Sequence, residues 1–418
     1  MVLQAGLEGV VAARTRLSDV DGERGELIIG GFPLAELAPN ARFEETTWLL
    51  WHGELPTASQ LDAFTHSLAA RRALLPATRM LLEQAARTGV TPMTALRMAI
   101  GTLPSSSGAS EPAINQGRPE GRPRREQLDA VGDGRPEDRL RRGDGPFRDD
   151  PQAILAGAPT IVAAFWRLSA GLPPVEPRID LSHAANFLYM LSGEVPDDER
   201  VRALETYLNT VIDHGLNAST FAARVIASTG ADLVSATVGA VGALAGPLHG
   251  GAPGPALDMV FEIGDASRAE SVLRAKLEAG EKLMGFGHRV YRVRDPRADV
   301  LGVAAERLFT RSGDMALYAL ARSVEAAAVR LLEEYKPGRR LQTNVEFYTA
   351  LLLHGLGFDV ALFTPTFAIS RIAGWIAHVR EQREANRIIR PQSEYDGPRR
   401  RRWMAVEDRG ATATTPLP

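Results

Sequence analysis

Between Lys282 and Arg297 the chain reads KLMGFGHRVYRVRDPR, a run that brings glycine, histidine and arginine together more densely than any other segment. Gly285 and Gly287 have no Cβ, accept positive φ and let the backbone turn sharply or come close to a ligand. His288 follows at once, and Arg289, Arg292, Arg294 and Arg297 follow it. Such a run suits a small, multiply anionic guest with one imidazole aimed at it. It equally describes a glycine-bounded turn with solvated charges.

Three further positions bear on that choice. Asp213-His214-Gly215-Leu216-Asn217-Ala218-Ser219-Thr220 sets a histidine after an amphipathic stretch, then supplies glycine and short hydrogen-bonding side chains. Gly246-Pro247-Leu248-His249-Gly250-Gly251 puts another histidine where a small-residue helix must end, and Thr343-Asn344-Val345-Glu346-Phe347-Tyr348-Thr349 holds a carboxylate among apolar and aromatic neighbours. Each has an ordinary structural reading: His214 as a cation at a helix C-terminus, His249 as a turn residue, Glu346 as part of a solvated face. Taken together they offer three histidines beside glycines, one carboxylate in an apolar setting and a surplus of arginine.

Guanidinium groups bind carboxylates through paired N–H donors, so a di- or tricarboxylate is the natural guest. A carboxylate base with neutral histidines as donors is what removing a proton next to a carbonyl requires. The base takes the proton while a donor stabilises the enolate oxygen that forms, and a second histidine polarises the carbonyl that the new carbanion attacks. Other chemistries lack their marks. There is no cysteine, which removes disulfides, thiolate metal sites and cysteine nucleophiles and suits a reducing cytoplasm. No HExxH or close histidine pair points to zinc, and no GxSxG elbow or Walker loop is present.

The elements that must position these residues are mostly helical. Apolar residues recur at three and four over Phe43 to Trp51, Ser59 to Leu75, 181–193, 200–213, 319–334 and 365–383, the spacing of amphipathic helices. Ala231 to Gly246 carries almost no bulk and suits very close helix packing, centrally or at a subunit interface. Glu26-Leu27-Ile28-Ile29 before Gly30-Gly31 reads as one arm of a short hairpin. From 104 to 150 the chain is rich in Gly, Pro, Arg, Asp and Glu, and too poor in apolar surface to offset its ordering entropy. It is predicted to be a disordered surface insertion. The tail after Pro398, opening on Arg399–Arg402, reads as a loosely held terminus.

At 418 residues there is ample interior for a large core. A content of 44% hydrophobic and 24% charged residues fits a soluble globular protein. The net charge of −3 gives no general attraction to nucleic acid. The N-terminal stretch reaches charge at Glu8 without a long apolar core, unlike a signal peptide. The longest uncharged stretch, Leu233 to Leu257, is interrupted by Pro247, Pro253 and Pro255, leaving less helix than the ~20 residues a bilayer demands. No membrane or nucleic-acid partner is expected.

In order, DHGLNAST, GPLHGGAPGPA, GFGHRVYRVRDPRA, TNVEFYT, SRIAGWIAHV and IIRPQSEY resemble the citrate synthase family, 2-methylcitrate synthases included. The resemblance begins at Gly6-Leu7-Glu8-Gly9-Val10-Val11 and spans nearly the whole chain apart from 104–150 and the C-terminal tail. It implies a mainly α, two-domain fold: a large domain from 1–249 and 356–418, and a small domain, 250–355, that closes over substrates. It implies a cytoplasmic homodimer that condenses acetyl-CoA with oxaloacetate, with no metal or redox cofactor and coenzyme A entering as the substrate thioester. By position, the resemblance makes Glu346 the base for the acetyl-CoA methyl proton and His249 the donor to the thioester oxygen. It makes His288 the donor to the oxaloacetate carbonyl. His214, Arg297 and Arg371 would hold the oxaloacetate carboxylates, joined by Arg390 from the neighbouring subunit, and Gly285, Phe286 and Gly287 would lie along coenzyme A.

Glu346 departs from the family's usual aspartate. One extra methylene moves the charge by more than ~1 Å, which can cost ~100-fold unless the backbone sits farther back. A backbone set back is the expectation; a slow enzyme, or a silent paralogue that binds CoA or a dicarboxylate, are the alternatives. The 104–150 segment is a second departure. The chain also begins at the catalytic core, without the N-terminal domain of the larger NADH-inhibited forms, so a dimer free of that allostery is expected. Acetyl-CoA and propionyl-CoA differ by one methylene, worth only ~1–3 kcal/mol of discrimination, so 2-methylcitrate synthase is the nearest rival.

Overall fold

The computed structural model describes residues 5–7, 9–103, 149–250, 253–288 and 290–406. Among them are sixteen α-helices: α1 (Leu34–Leu37), α2 (Phe43–His52), α3 (Ala58–Ala69), α4 (Pro76–Arg87), α5 (Pro92–Ile100), α6 (Pro151–Ser169), α7 (His183–Ser192), α8 (Asp198–Val211), α9 (Ala218–Ser228), α10 (Leu233–Leu244), α11 (Pro253–Ile263), α12 (Ala269–Glu278), α13 (Pro296–Ser312), α14 (Met315–Tyr335), α15 (Val345–Gly355) and α16 (Phe363–Glu384). The mainly α expectation holds. Most starts carry a local signal. Thr57, Thr91, Ser182, Asp197, Asn217, Asp232, Asp295 and Asn344 each accept a backbone N–H of the first turn, which satisfies donors the helix itself leaves unpaired.

Periodicity placed six of the sixteen helices and overran one of them. The run expected to reach Leu75 ends at Ala69. Leu75 instead precedes the helix that Pro76 opens, because the ring of a proline disfavours helical backbone at the residue before it. Glu26–Ile29 is one arm of the expected hairpin, closed across Gly30-Gly31 onto β3 (Phe32–Pro33), and as β2 it also pairs with β1 (Ser18–Asp21), which makes it the middle strand of a three-stranded antiparallel sheet. The expected 104–150 insertion needs correction at its end. Asp149 accepts from the Leu233 amide and pairs with Arg383, while Asp150 caps α6 at Ala153 and binds Arg71 at 3.0 Å. Residues 104–148 lie outside the described residues, as does the tail from 407; Arg399–Arg402 are exposed beyond α16.

The core centres on α16. Its segment 360–384 contains a stretch long and apolar enough to cross a membrane, yet 78% of that stretch is buried inside the protein, as befits the central helix of a helical core. Residues α16 turns inward include Arg371, Trp375 and His378, all at most 1% exposed. The small-residue helix α10 packs tightly on α9, as expected: a Cβ at Gly239 would stand 2.2 Å from Ile226 Cδ1.

The small sheet has a positioning role. Ser18 of β1 donates to Asp213 and accepts from the Gly215 amide at 2.9 Å, fixing the turn that carries His214. The β1–β2 turn meets the arginine-rich segment, where Gly22 O accepts from the Arg292 amide at 2.8 Å. A Cβ on Gly22 would stand 2.2 Å from Val290 O. Only glycine allows that approach.

Candidate active site

One wall is assembled from two helix starts and the glycine loop. Gly285 and Gly287 adopt φ of 86° and 82°, the left-handed region that glycine enters without a Cβ clash. A Cβ at Gly285 would also meet Phe347 at 3.0 Å. The loop is stitched to the start of α15: the Asn344 amide donates to Gly285 O, the Gly287 amide to Gln342 O, and Asn344 Nδ2 to Gly287 O. Phe286 bridges Thr343, and its ring lies 5.4 Å from that of Phe347. Asp295 joins α13 to α15. Its carboxylate accepts from Arg297 through Nε at 3.0 Å and Nη2 at 2.8 Å, and from the Val345 amide at 3.2 Å. Arg297 and Glu346 are thereby held at the starts of two helices that converge on one place.

His288 stands beside this pair. Its Nδ1 accepts from the Val290 and Tyr291 amides, both at 3.1 Å, which assigns the ring proton to Nε2. That nitrogen lies 3.3 Å from Arg297 Nη2. Two donors therefore point toward each other, and one carboxylate or carbonyl oxygen would take both. Burial, reinforced by Arg297, pushes the His288 pKa down to about 4.

The facing wall comes from the turn after α8, from α16 and from the segment after α10. His214 Nε2 lies 3.2 Å from the Tyr291 hydroxyl, and its ring centre is 5.7 Å from that of His288. Burial, with Arg297 and Arg371 nearby, holds His214 far below the usual histidine range. Arg371 donates through Nε to Val211 O at 2.7 Å and stacks 4.6 Å from the Phe367 ring. It forms no direct ion pair among the described residues; burial pushes it down to about 10, although the nearby Asp213 works in the opposite direction. A buried guanidinium with no carboxylate in direct contact can take one from a ligand. His249 Nε2 accepts the Ser219 amide of the first turn of α9 at 3.3 Å and lies 2.8 Å from Ser219 Oγ, which leaves the ring proton on Nδ1. Burial, then Arg371, lowers its pKa as well.

Glu346 completes the set. Its amide is capped by Asn344 at 3.0 Å. The carboxyl is half-buried and has no hydrogen-bond partner among the described residues. Burial pushes it up to about 7, although Arg297 nearby works in the opposite direction. Chemically, the arrangement offers three neutral imidazoles, one poised carboxylic base and two guanidinium groups. It can hold a dicarboxylate, accept a carbon-bound proton and place donors on oxygens that gain charge.

Seven of the residues singled out from the sequence thus converge: His214, His288, Arg297, Glu346 and Arg371 around Tyr291 and Asp295, with His249 linked through Arg371 and Gly285 supporting Glu346. Others do not join. Arg294 is spent on Asp299 and on Glu325, the latter at 2.6 Å, so it is structural. Arg292 is exposed and Arg289 lies outside the described residues. Arg390 is exposed beyond α16. Sequence reasoning overlooked Asp295 and Tyr291. An aspartate before proline is a helix-cap signal that would have found the first; nothing local marks the second.

Comparison with known proteins agrees with this geometry. Residues 6–392 match the family described as citrate synthase, C-terminal domain. The citrate synthase of Haloferax volcanii is 39% identical over 97% of this chain and 99% of its own. The 2-methylcitrate synthase of Mycobacterium tuberculosis is 39% identical over 94% and 91%. Among solved structures, the citrate synthase of Pyrobaculum aerophilum superposes with a TM-score of 0.82 at 36% identity, covering 97% of this chain and 95% of that one. The Thermoplasma acidophilum citrate synthase, solved as a ternary complex with carboxymethyl coenzyme A and oxaloacetate, gives 0.81 at 28% identity over 98% and 100%. With its helical architecture, the converging histidines and carboxylic base, and matches spanning nearly its full length, the chain belongs to the citrate synthase family of acyl-transferring enzymes.

Proposed function

We propose that this protein is a citrate synthase, condensing acetyl-CoA with oxaloacetate and hydrolysing the citryl thioester to citrate and CoA. Glu346 removes a methyl proton while His249, its proton on Nδ1, donates to the thioester oxygen, so a neutral enol forms instead of a costly enolate. The enol carbon bonds to the ketone carbon of oxaloacetate as His288 donates through Nε2 to the ketone oxygen, which becomes the citryl hydroxyl. Arg297, Arg371 and His214 hold the oxaloacetate carboxylates, and Arg390 of a second copy supplies another cation to a homodimeric site. Residues 285–287 lie along coenzyme A, and the 250–355 region closes over both substrates. Water then cleaves the thioester. No oxidation state changes, so the scheme calls for no redox group.

The observation that carries this reading is geometric: Asp295 holds Arg297 and the start of the Glu346 helix together, and His288 Nε2 and Arg297 Nη2 stand 3.3 Å apart as two donors facing one place, beside a half-buried Glu346 that burial pushes up to about 7. A base whose pKa lies near the operating pH abstracts protons most effectively. Thiol release from purified protein, with oxaloacetate plus acetyl-CoA or propionyl-CoA in separate reactions, tests it. Faster release from acetyl-CoA is expected. Release from propionyl-CoA alone would reassign the substrate, and no release from either would remove the enzymatic reading.

A further inference from the structure

Behind the His214 turn runs a line of buried groups that the scheme above leaves unused. Asp213 and His378 are fully buried and Arg224 is 4% exposed. Asp213 accepts from His378 Nε2 at 3.1 Å, from Ser18 Oγ at 2.5 Å and from the Gly215 amide at 3.3 Å. On the far side, His378 Nδ1 lies 3.1 Å from Arg224 Nη1, which also donates to Glu381 at 2.6 Å. A guanidinium has donors only. His378 Nδ1 therefore accepts, the ring proton sits on Nε2, and it is donated to Asp213.

The spacing along α16 makes this more than a buried polar pair. Arg371 and His378 are two helical turns apart and share a face. Arg371 grips Val211 O through Nε. Gly374, between them, lets the turn come so close that a Cβ would stand 2.3 Å from Ile212 O and 3.0 Å from Asp213 Oδ1. His378 then holds Asp213. One face of α16 thus seizes three consecutive residues of the turn, and the next residue is His214.

We propose that His378 is a positioning residue, which through Asp213 locks the 211–215 turn onto α16 and so sets His214 and Arg371 at the spacing a dicarboxylate requires. The inference rests on the oxaloacetate reading of that pair. Paired buried polar groups rarely stabilise a fold more than well-packed apolar ones would, and here they specify a geometry.

The test compares His378→Gln with His378→Asn. A glutamine amide nitrogen reaches the place of Nε2 and can still bind Asp213; an asparagine amide reaches only the place of Nδ1. For folded His378→Asn, checked by circular dichroism, KM for oxaloacetate should rise ~10–100-fold, the loss expected from a small displacement of binding groups. KM for acetyl-CoA should stay within ~2-fold. His378→Gln should recover oxaloacetate affinity to within ~3-fold of the natural protein, by calorimetric titration as well as kinetics. An asparagine variant with unchanged oxaloacetate KM would overturn the proposal, as would a glutamine variant equally impaired. Should His378→Asn not fold, Ser18→Ala decides, since it removes another Asp213 partner from the sheet side: a rise in oxaloacetate KM supports the proposal and no change overturns it. Natural protein that binds no oxaloacetate overturns both this inference and the proposed function; natural protein that binds it, with all variants unaltered, overturns this inference alone.

Discussion

Two buried clusters in this chain look alike electrostatically and differ in everything else. At the candidate site Glu346 is pushed up to about 7 and His288 down to about 4. Between α2, α7 and α8, Glu205 is also pushed up to about 7, and His183 down to about 3. In all four cases burial is the largest cause. The second cluster is sealed: Glu205 is 3% exposed and His183 1%. His183 bonds through neither ring nitrogen, its ring lies 5.0 Å from that of Phe43, and its amide donates to Glu44 at 2.7 Å. Its nearby arginine, Arg72, donates to Arg178 O. At the candidate site Glu346, His288, His214 and His249 are only half-buried, Arg371 has no direct ion pair among the described residues and two donors converge between His288 and Arg297. A displaced pKa marks burial; unspent donors with access mark a site.

That contrast can be broken or sharpened by substitution. Glu346→Gln should lower kcat by ~10³-fold while calorimetry shows oxaloacetate affinity within ~2-fold of the natural protein. It should also raise the melting temperature at pH 8. The folded pKa of Glu346 lies above the unfolded value, so the native state loses stability as pH rises through the window from the usual carboxylate value to about 7. Glutamine does not ionise and escapes that loss. Turnover left intact would make Glu346 no different from Glu205.

Arg371→Lys should raise KM for oxaloacetate ~10–100-fold, since a lysine replaces a forked donor by a point charge. Steady-state kinetics with saturating acetyl-CoA reads it, and an unchanged KM would mean the unpaired guanidinium is not an anion site. Glu346→Asp should lower kcat ~10-fold or more if the backbone is set for the longer side chain; a faster enzyme would show that glutamate is the misfit. The smallest effect belongs to the sealed cluster. Glu205→Gln should leave turnover within ~2-fold and stabilise the fold at pH 8 by roughly 1–3 kcal/mol, with no gain at pH 4. The sign is that of Glu346: a raised folded pKa means stability declining between the usual carboxylate range and about 7. Denaturant unfolding at the two pH values reads it directly.

Much of the site was legible because its signals are local. Glycines at 285 and 287 announced backbone that other residues resist, whereas the cap signal of Asp295-Pro296 at the start of α13 went unread. Six helix positions followed from periodicity, with the error over 70–75 arising where an apolar pattern continued past the helix end at Ala69. The sealed cluster was invisible. Glu44, His183 and Glu205 look like surface residues in sequence, and only the packing of three helices buries them. The grip of α16 on the 211–215 turn was hidden for the same reason: Gly374 and His378 matter through residues far away in the chain.

The amino-acid sequence alone determined where helices begin, which loop can bend into a ligand site, and which side chains are chemically fit for proton transfer and carboxylate binding. Those properties depend on neighbours a few residues away. Tertiary structure decided which cation is left free of a direct ion pair among the described residues: Arg294 is consumed by Glu325, whereas Arg371 is buried with Asp213 nearby but not in contact. It also decided that Glu346 titrates near neutrality and that His249 and His288 stay neutral, each with its proton on a definite nitrogen. Desolvation, hydrogen-bond partners and charge balance are set by groups that only folding brings together.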